Sequence, residues 1–532
     1  MCRSRAGTGS AAGGACPLRG VVSSVGTGTR LRASQSPGRE PVPRQGRAGY
    51  ARAVVHRRRS TAMNRDDLCF TSAVELARMI RTREVSPVEL MAAVLARIDD
   101  VNPKLNAFTK LLPEQAMDGA RAAEHAVMKG EPLGPLHGLP LSIKDMVLTR
   151  GVTTMMGSRI FEHRVPDVDV PMVERLRAAG AVFFGKTTTP EFGWKAVTDS
   201  PVSGITRNPW DTSVTPGGSS GGASAQIAAG MGTLATGGDG AGSIRVPASF
   251  TGLFGIKPQY GRIPFAPQGG GDMLAHLGPL TRTVADAALF LSATAGPDDR
   301  DRFSLEAPPA DYLGELGRGI EGLRIAWSPT LGYVDNLDPQ VRAVTEEAVK
   351  AFESLGAHVD VVEDPGFGDP KPIIDTYWCV NFAIVLEHYL DAWSGKIDPA
   401  LEACAREGMA MGPLDFARAQ VERHAYYYRV LPFFDRYDLL MTPSVATLPF
   451  TAGALYPEGY AEHPWDWIRW APYSFPFNLT HLPAASVPAG FSREGLPIGL
   501  QLVGRRFAET TVLRAAAAFE EARPWADRRP PI

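Results

Sequence analysis

The stretch DPQVRAVTEEAVKAFESLGAHVDVVE (338–363) runs an amphipathic helical period directly into a short alternating strand. That switch from a 3.6-residue to a 2-residue period is the mark of an α/β unit. It recurs along the chain. DVPMVERLRAAG (169–180) precedes the apolar AVFFG (181–185), and VADAALFLSATAG (284–296) precedes LRIAWSP (323–329). TSAVELARMIRTREVSPVELMAAVLARIDDVNP (71–103) holds two helical stretches, the second opening at a Ser86-Pro87-Val88-Glu89 N-cap signature, and a further helix is expected over 113–129. LHGLPLSIKDMV (136–147) reads as an apolar strand ending at Lys144, and GMGTLATGGDGAGS (230–243) as a short strand dissolving into glycines. The expectation is an α/β fold: one large domain over 63–532, with a central mixed, mostly parallel twisted sheet flanked by helices. No Pro/Gly/Ser linker divides this span.

Two regions depart from the pattern. Residues 366–477 read as a helical, aromatic-rich insertion, including DTYWCVNFAIVLEHYLDAW and YPEGYAEHPWDWIRWAPYSFPF. Its aromatics suit cover packing or an apolar wall around a substrate. Residues 1–62 hold twelve Arg, no Lys and one acid, Glu40, a net of +11, with no sustained apolar period. A targeting peptide and a nucleic-acid arm both fit that charge, but Met63 opens the first folded patterning, so the stretch reads as a disordered tail or sequence upstream of the true start. The other 470 residues carry 43 basic and 56 acidic side chains. That balance gives no reason to expect a nucleic-acid or membrane partner. No apolar run is long enough to span a bilayer. Five scattered cysteines without CxxC spacing argue against a disulfide framework or structural zinc, and for a reducing compartment, the cytoplasm. The oligomeric state stays open, a homodimer included.

Several motifs are decoys. AGAVFFGKT (179–187) spells a phosphate loop, but Ala-Val-Phe-Phe between its glycines favours a strand. GDGAG (238–242) lacks the spacing of a dinucleotide fingerprint, and no HExxH is present. His137 reads as a loop hydrogen-bonder. No cofactor and no metal is expected.

TPGGSSGG (215–222) has linker composition, yet it runs into ASAQIAAGMG, free of charge from Ala223 to Met231. A helix without charge on any face is buried, so the glycines before it serve tight geometry. GGDGAGSIRVPASF (237–250) again brackets a serine, Ser243, with glycines and places Arg245 beside it. Lys144 after its strand is either a surface charge or a buried base.

Together these segments resemble the amidase signature family of serine hydrolases, from about residue 70 to 525. The resemblance is carried by LPLSIKDMVLTRGVTTMMGS (139–158), GAVFFGKTTTPEF (180–192), NPWDTSVTPGGSSGGASA (208–225), GGDGAGSIRVPASFTGLFGIKPQYGRIP (237–264), GPLTRTVADAALFL (278–291) and LPAASVPAGFSREGLPIGLQLVG (482–504). It implies the amidase signature fold, with Ser243 as nucleophile, Ser219 as a proton bridge preceded by a cis peptide, and Lys144 as base. The backbone N–H groups of Gly240, Ala241 and Gly242, with Ser243, would form the oxyanion hole; the family's first glycine is replaced here by Ala241. Ser220, Asp239 and Arg245 are expected to support the loops, and Asp145 either supports the site or caps its strand.

Physical chemistry agrees with these roles. A serine hydroxyl needs a base within hydrogen-bond reach, and a lysine serves if burial lowers its pKa. The expectation is hydrolysis of small-molecule amides, aryl or apolar ones first, with carbamates (urethanes) and esters as secondary substrates, through an acyl-enzyme on Ser243. The alternative is the family's glutamine-dependent amidotransferase branch, which releases ammonia for a tRNA-linked reaction. A non-catalytic nucleic-acid binder fits least.

Overall fold

A computed structural model describes residues 63–267, 274–306 and 310–532. The expectations for residues 1–62 lie outside the described residues. Eleven strands form one sheet: β1 (Phe108–Leu111), β2 (Pro140–Lys144), β3 (Val182–Thr187), β4 (Leu234–Asp239), β5 (Phe254–Lys257), β6 (His276–Thr281), β7 (Arg324–Trp327), β8 (His358–Val361), β9 (Leu439–Pro443), β10 (Ala484–Phe491) and β11 (Pro497–Gly504). Their spatial order is β1-β3-β2-β4-β6-β5-β10-β11-β9-β7-β8.

The sheet is mixed, and its parallel pairs fall in two blocks. One is β3-β2-β4; the other is β9-β7-β8. The middle of the sheet, from β4 to β9, pairs antiparallel, as does the edge strand β1. Helix–strand alternation in the sequence signals the parallel blocks but cannot reveal which strands meet across the centre. β2, β9 and β11 are buried along their whole length, as expected of strands covered on both faces.

The helices match their sequence signals. Pro87–Leu105 is capped by Ser86 Oγ, which accepts from Val88 N at 2.9 Å and Glu89 N at 3.4 Å. The expected helix over 113–129 is Pro113–Lys129. The charge-free helix is Gly221–Ala228, and every residue in it is buried. One hydrophobic core joins the N-terminal helices, Val284–Thr294, Pro339–Ser354 and Glu509–Ala522 to the sheet. A second is built largely from the aromatic-rich span 366–477, with Trp194 and Phe250 packed into it. Strand β9 lies inside that span and belongs to the central sheet.

In the cover, helix Lys371–Leu386 packs against Pro399–Ala410 so closely that a Cβ at Gly408 would overlap the Cys379 carbonyl oxygen. Cys379 and Cys404 lie buried in this contact with their sulfurs 3.7 Å apart. Overpacking such a contact costs about 1–3 kcal/mol. Gly408→Ala is therefore expected to lower the unfolding midpoint in calorimetry, and an unchanged midpoint would contradict the packing described.

Candidate active site

β2 and β4 run parallel side by side, so Lys144 and Asp239 stand at the same edge of the sheet, at the strands' carboxyl ends. Lys144 N–H donates to Thr236 Oγ1 on β4 at 2.9 Å, which fixes its backbone. Its Nζ reaches Ser219 Oγ at 2.7 Å, Ser220 Oγ at 2.9 Å and the Gly238 carbonyl at 3.4 Å. Of the two readings that the sequence allowed for Lys144, the buried one holds. Burial pushes its pKa down to about 7, against the pull of Asp239 in the other direction.

Ser219 and Ser220 enter this space because the backbone before the charge-free helix is packed tightly. A Cβ at Gly218 would sit 2.6 Å from the Val197 carbonyl oxygen, so only glycine fits there. The Gly218–Ser219 peptide is cis. Ser220 N–H donates to the Ser243 carbonyl at 3.3 Å, which ties the paired serines to the loop after β4. Ser243 itself is almost wholly buried.

That loop is held from behind. The Asp239 carboxylate accepts from Gly242 N at 2.8 Å, Ile244 N at 3.1 Å and both ends of the Arg245 guanidinium. Burial alone would raise the Asp239 pKa; the Arg245 ion pair overrides it and holds the carboxylate well below its ordinary range. Arg245 also donates to the Ser474 carbonyl at 2.8 Å, Gln501 Oε1 at 2.7 Å and Asn478 Oδ1 at 2.6 Å. Asn478 Nδ2 returns to the Asp239 carbonyl and carboxylate at 2.9 and 2.8 Å.

One expected oxyanion donor drops out. The Gly242 N–H points at Asp239, where the charged acceptor is the stronger partner. Gly240, Ala241 and Ser243 remain as candidate donors. Asp145 resolves toward capping: its carboxylate accepts from Met155 N at 3.2 Å and Gly157 N at 3.5 Å, and burial raises its pKa to about 6. The phosphate-loop look-alike is strand β3, and its Lys186 donates inward to the Val147 carbonyl and the Thr149 and Thr154 hydroxyls. His137 bonds the Ala123 carbonyl at 2.9 Å, as a loop hydrogen-bonder should.

An aromatic wall faces the loop. A Cβ at Gly240 would stand 3.5 Å from the Trp378 ring. Trp378 and Trp467 meet edge to face, 5.7 Å between centroids, and both indole N–H groups donate to the Trp194 carbonyl at 2.9 Å. Trp378 and Trp467 lie in the two aromatic segments that the sequence left between cover packing and an apolar wall, whereas no motif or fixed spacing links Ser474, Asn478 and Gln501 to the serines.

The family model for amidases, described simply as Amidase, matches residues 89–513. The chain belongs to the amidase signature family. It is 39% identical over 478 residues to an acylamidase of Rhodococcus erythropolis, covering 88% of this chain and 98% of that protein. It is 36% identical over 499 residues to a glutamyl-tRNA(Gln) amidotransferase subunit of Moorella thermoacetica, covering 88% and 99%. Among solved structures it resembles a bacterial aryl acylamidase of the amidase signature family, with a TM-score of 0.80, 31% identity, and coverage of 86% of this chain and 97% of that one. The 6-aminohexanoate cyclic dimer hydrolase complexed with its substrate also gives a TM-score of 0.80, at 30% identity, covering 87% and 99%. The protein is an amidase signature hydrolase, an enzyme acting on amides.

Because Asp239 and Arg245 are wholly buried, removing either charge strands the other, at a cost of about 3–5 kcal/mol. Asp239→Asn and Arg245→Met should each lower the denaturation midpoint sharply, and the double variant should lose less than the two losses combined. Simple additivity would show that the pair does not act as one unit.

Proposed function

We propose that the enzyme hydrolyses carboxylic amide C–N bonds through a covalent acyl-enzyme on Ser243, with Lys144 as base and Ser219 as proton bridge. The observation that carries this reading is the 2.7 Å contact between Lys144 Nζ and Ser219 Oγ in a site where burial brings the lysine pKa to about 7. A neutral lysine accepts the Ser219 proton while Ser219 takes that of Ser243, and Ser243 Oγ attacks the amide carbonyl carbon. Negative charge moves to the carbonyl oxygen, where the N–H groups of Gly240, Ala241 and Ser243 meet it. Collapse breaks the C–N bond; the proton returns along Ser219 to the leaving nitrogen, and an amine departs. Water then repeats the cycle on the acyl ester, releasing a carboxylic acid and free Ser243.

Aryl or apolar amides fit the Trp378–Trp467 wall, and carbamates and esters share the same electrophilic carbonyl. The relatives support this class: an acylamidase and an aryl acylamidase stand among them. The similarity to a tRNA-linked amidotransferase favours glutamine as the second reading. Against it stands the wall itself, since an amino acid's two charges call for ionic partners rather than indole rings.

Turnover of anilides, aliphatic amides, carbamates, esters and glutamine, each beside Ser243→Ala, separates these readings. Anilide hydrolysis is expected, together with phosphonate labelling of Ser243 that the variant loses. Glutaminase activity without anilidase activity would favour the second reading, and labelling at another serine would overturn the nucleophile. Because only the neutral amine accepts a proton, kcat/KM should rise with pH through about 7. Lys144→Met should abolish turnover, and a profile flat from acid to alkaline pH would exclude the lysine base. Trp378→Ala should raise KM for anilides by about tenfold, equal to ~1.4 kcal/mol of lost contact, while aliphatic amides change little.

A further inference from the structure

We propose that Ser474 is a positioning residue of the oxyanion hole, which orients its donors by clamping the Ala241–Gly242 peptide plane. The inference rests on Ser243 being the nucleophile. A trans peptide is rigid, so its C=O and N–H point in opposite directions as one unit. Both ends of this plane are held. At one end Ser474 Oγ donates to the Ala241 carbonyl at 2.6 Å. At the other the Gly242 N–H donates to Asp239 Oδ1 at 2.8 Å. The flanking planes carry the N–H groups of Ala241 and Ser243, so fixing the plane between them sets the directions of both.

The backbone is shaped around this clamp. Gly242 has φ +122°, a region that side chains rarely enter, and a Cβ there would overlap Ser474 Oγ and stand 2.7 Å from Ser474 Cβ. Ser474 is itself anchored, because its carbonyl accepts from Arg245 Nη1 at 2.8 Å. The contacts therefore close a ring: Asp239 to Gly242, across the peptide to Ala241, to Ser474, to Arg245, and back to Asp239. Within that ring the Ser474 hydroxyl is held by a single short bond, with a weaker approach of 3.2 Å to the Ala471 carbonyl. Removing it frees one end of the plane and leaves the ion pair intact.

The test compares wild type, Ser474→Ala and Ser243→Ala with a nitroanilide substrate and an aryl trifluoromethyl ketone, which forms a tetrahedral oxyanion on the nucleophile. Losing an entire oxyanion donor costs about 10²–10³ in kcat, so losing only its aim should lower kcat about 10–100-fold. KM of Ser474→Ala should stay at the wild-type value, and its melting midpoint should fall only by the small amount that one lost buried hydrogen bond brings. The ketone's inhibition constant should rise by the same factor as kcat/KM falls, which a merely structural role would not produce. Wild-type kcat in Ser474→Ala, or a loss of kcat with ketone affinity unchanged, overturns the clamp. Turnover surviving in Ser243→Ala instead overturns the nucleophile assignment, so the two failures are told apart.

Discussion

A wholly buried guanidinium persists only when its charge and all five of its N–H donors are met. Arg245 satisfies that demand: two donors go to the Asp239 carboxylate, and the others to the Ser474 carbonyl, Gln501 and Asn478. Those partners come from three separate places, the end of β4, the segment 474–478 and β11. The chain's halves are thereby locked together directly behind Ser243. The loop that carries Ser243 is the front face of that knot, so its geometry is set by a buried electrostatic constraint.

Lys144 lives under the opposite regime. It is nearly as buried as Arg245 but faces two serine hydroxyls and a carbonyl, with no carboxylate among the described residues in hydrogen-bond contact. Asp239 exerts some pull, but its charge is already committed to Arg245, and desolvation prevails. The same interior therefore pairs one cation with a carboxylate and brings another to the edge of neutrality. A guanidinium cannot be neutralised in this range and suits the frame, whereas an amine can and suits a base. The aromatic cover adds the remaining element, since the paired indoles anchored on the Trp194 carbonyl replace water with an apolar surface beside Gly240.

Much of this was legible in the chain itself. The helix–strand alternation named most elements to within a few residues. The absence of charge from Ala223 to Met231 disqualified the linker reading of TPGGSSGG, because an uncharged helix must be buried. Other features left no trace. GGDGAGS runs as strand through both glycines to Asp239, since pairing with β6 supplies the hydrogen bonds that glycine's weak strand preference does not. Gly242 looked like an oxyanion donor, and only its neighbour's carboxylate shows that its N–H is taken.

Residue type and local periodicity singled out a lysine ending an apolar strand, paired serines before a charge-free helix, and a glycine-bracketed serine beside an arginine, while their expected roles came from the family resemblance. Such signals are readable along the chain because they depend on near neighbours in it. Three-dimensional packing decided which groups share one pocket, which N–H groups are committed, and that Ser474 and Asn478, more than 200 residues beyond Ser243, hold its loop. Those outcomes depend on strand order and burial, and burial is what turns an ordinary lysine into one poised near neutrality.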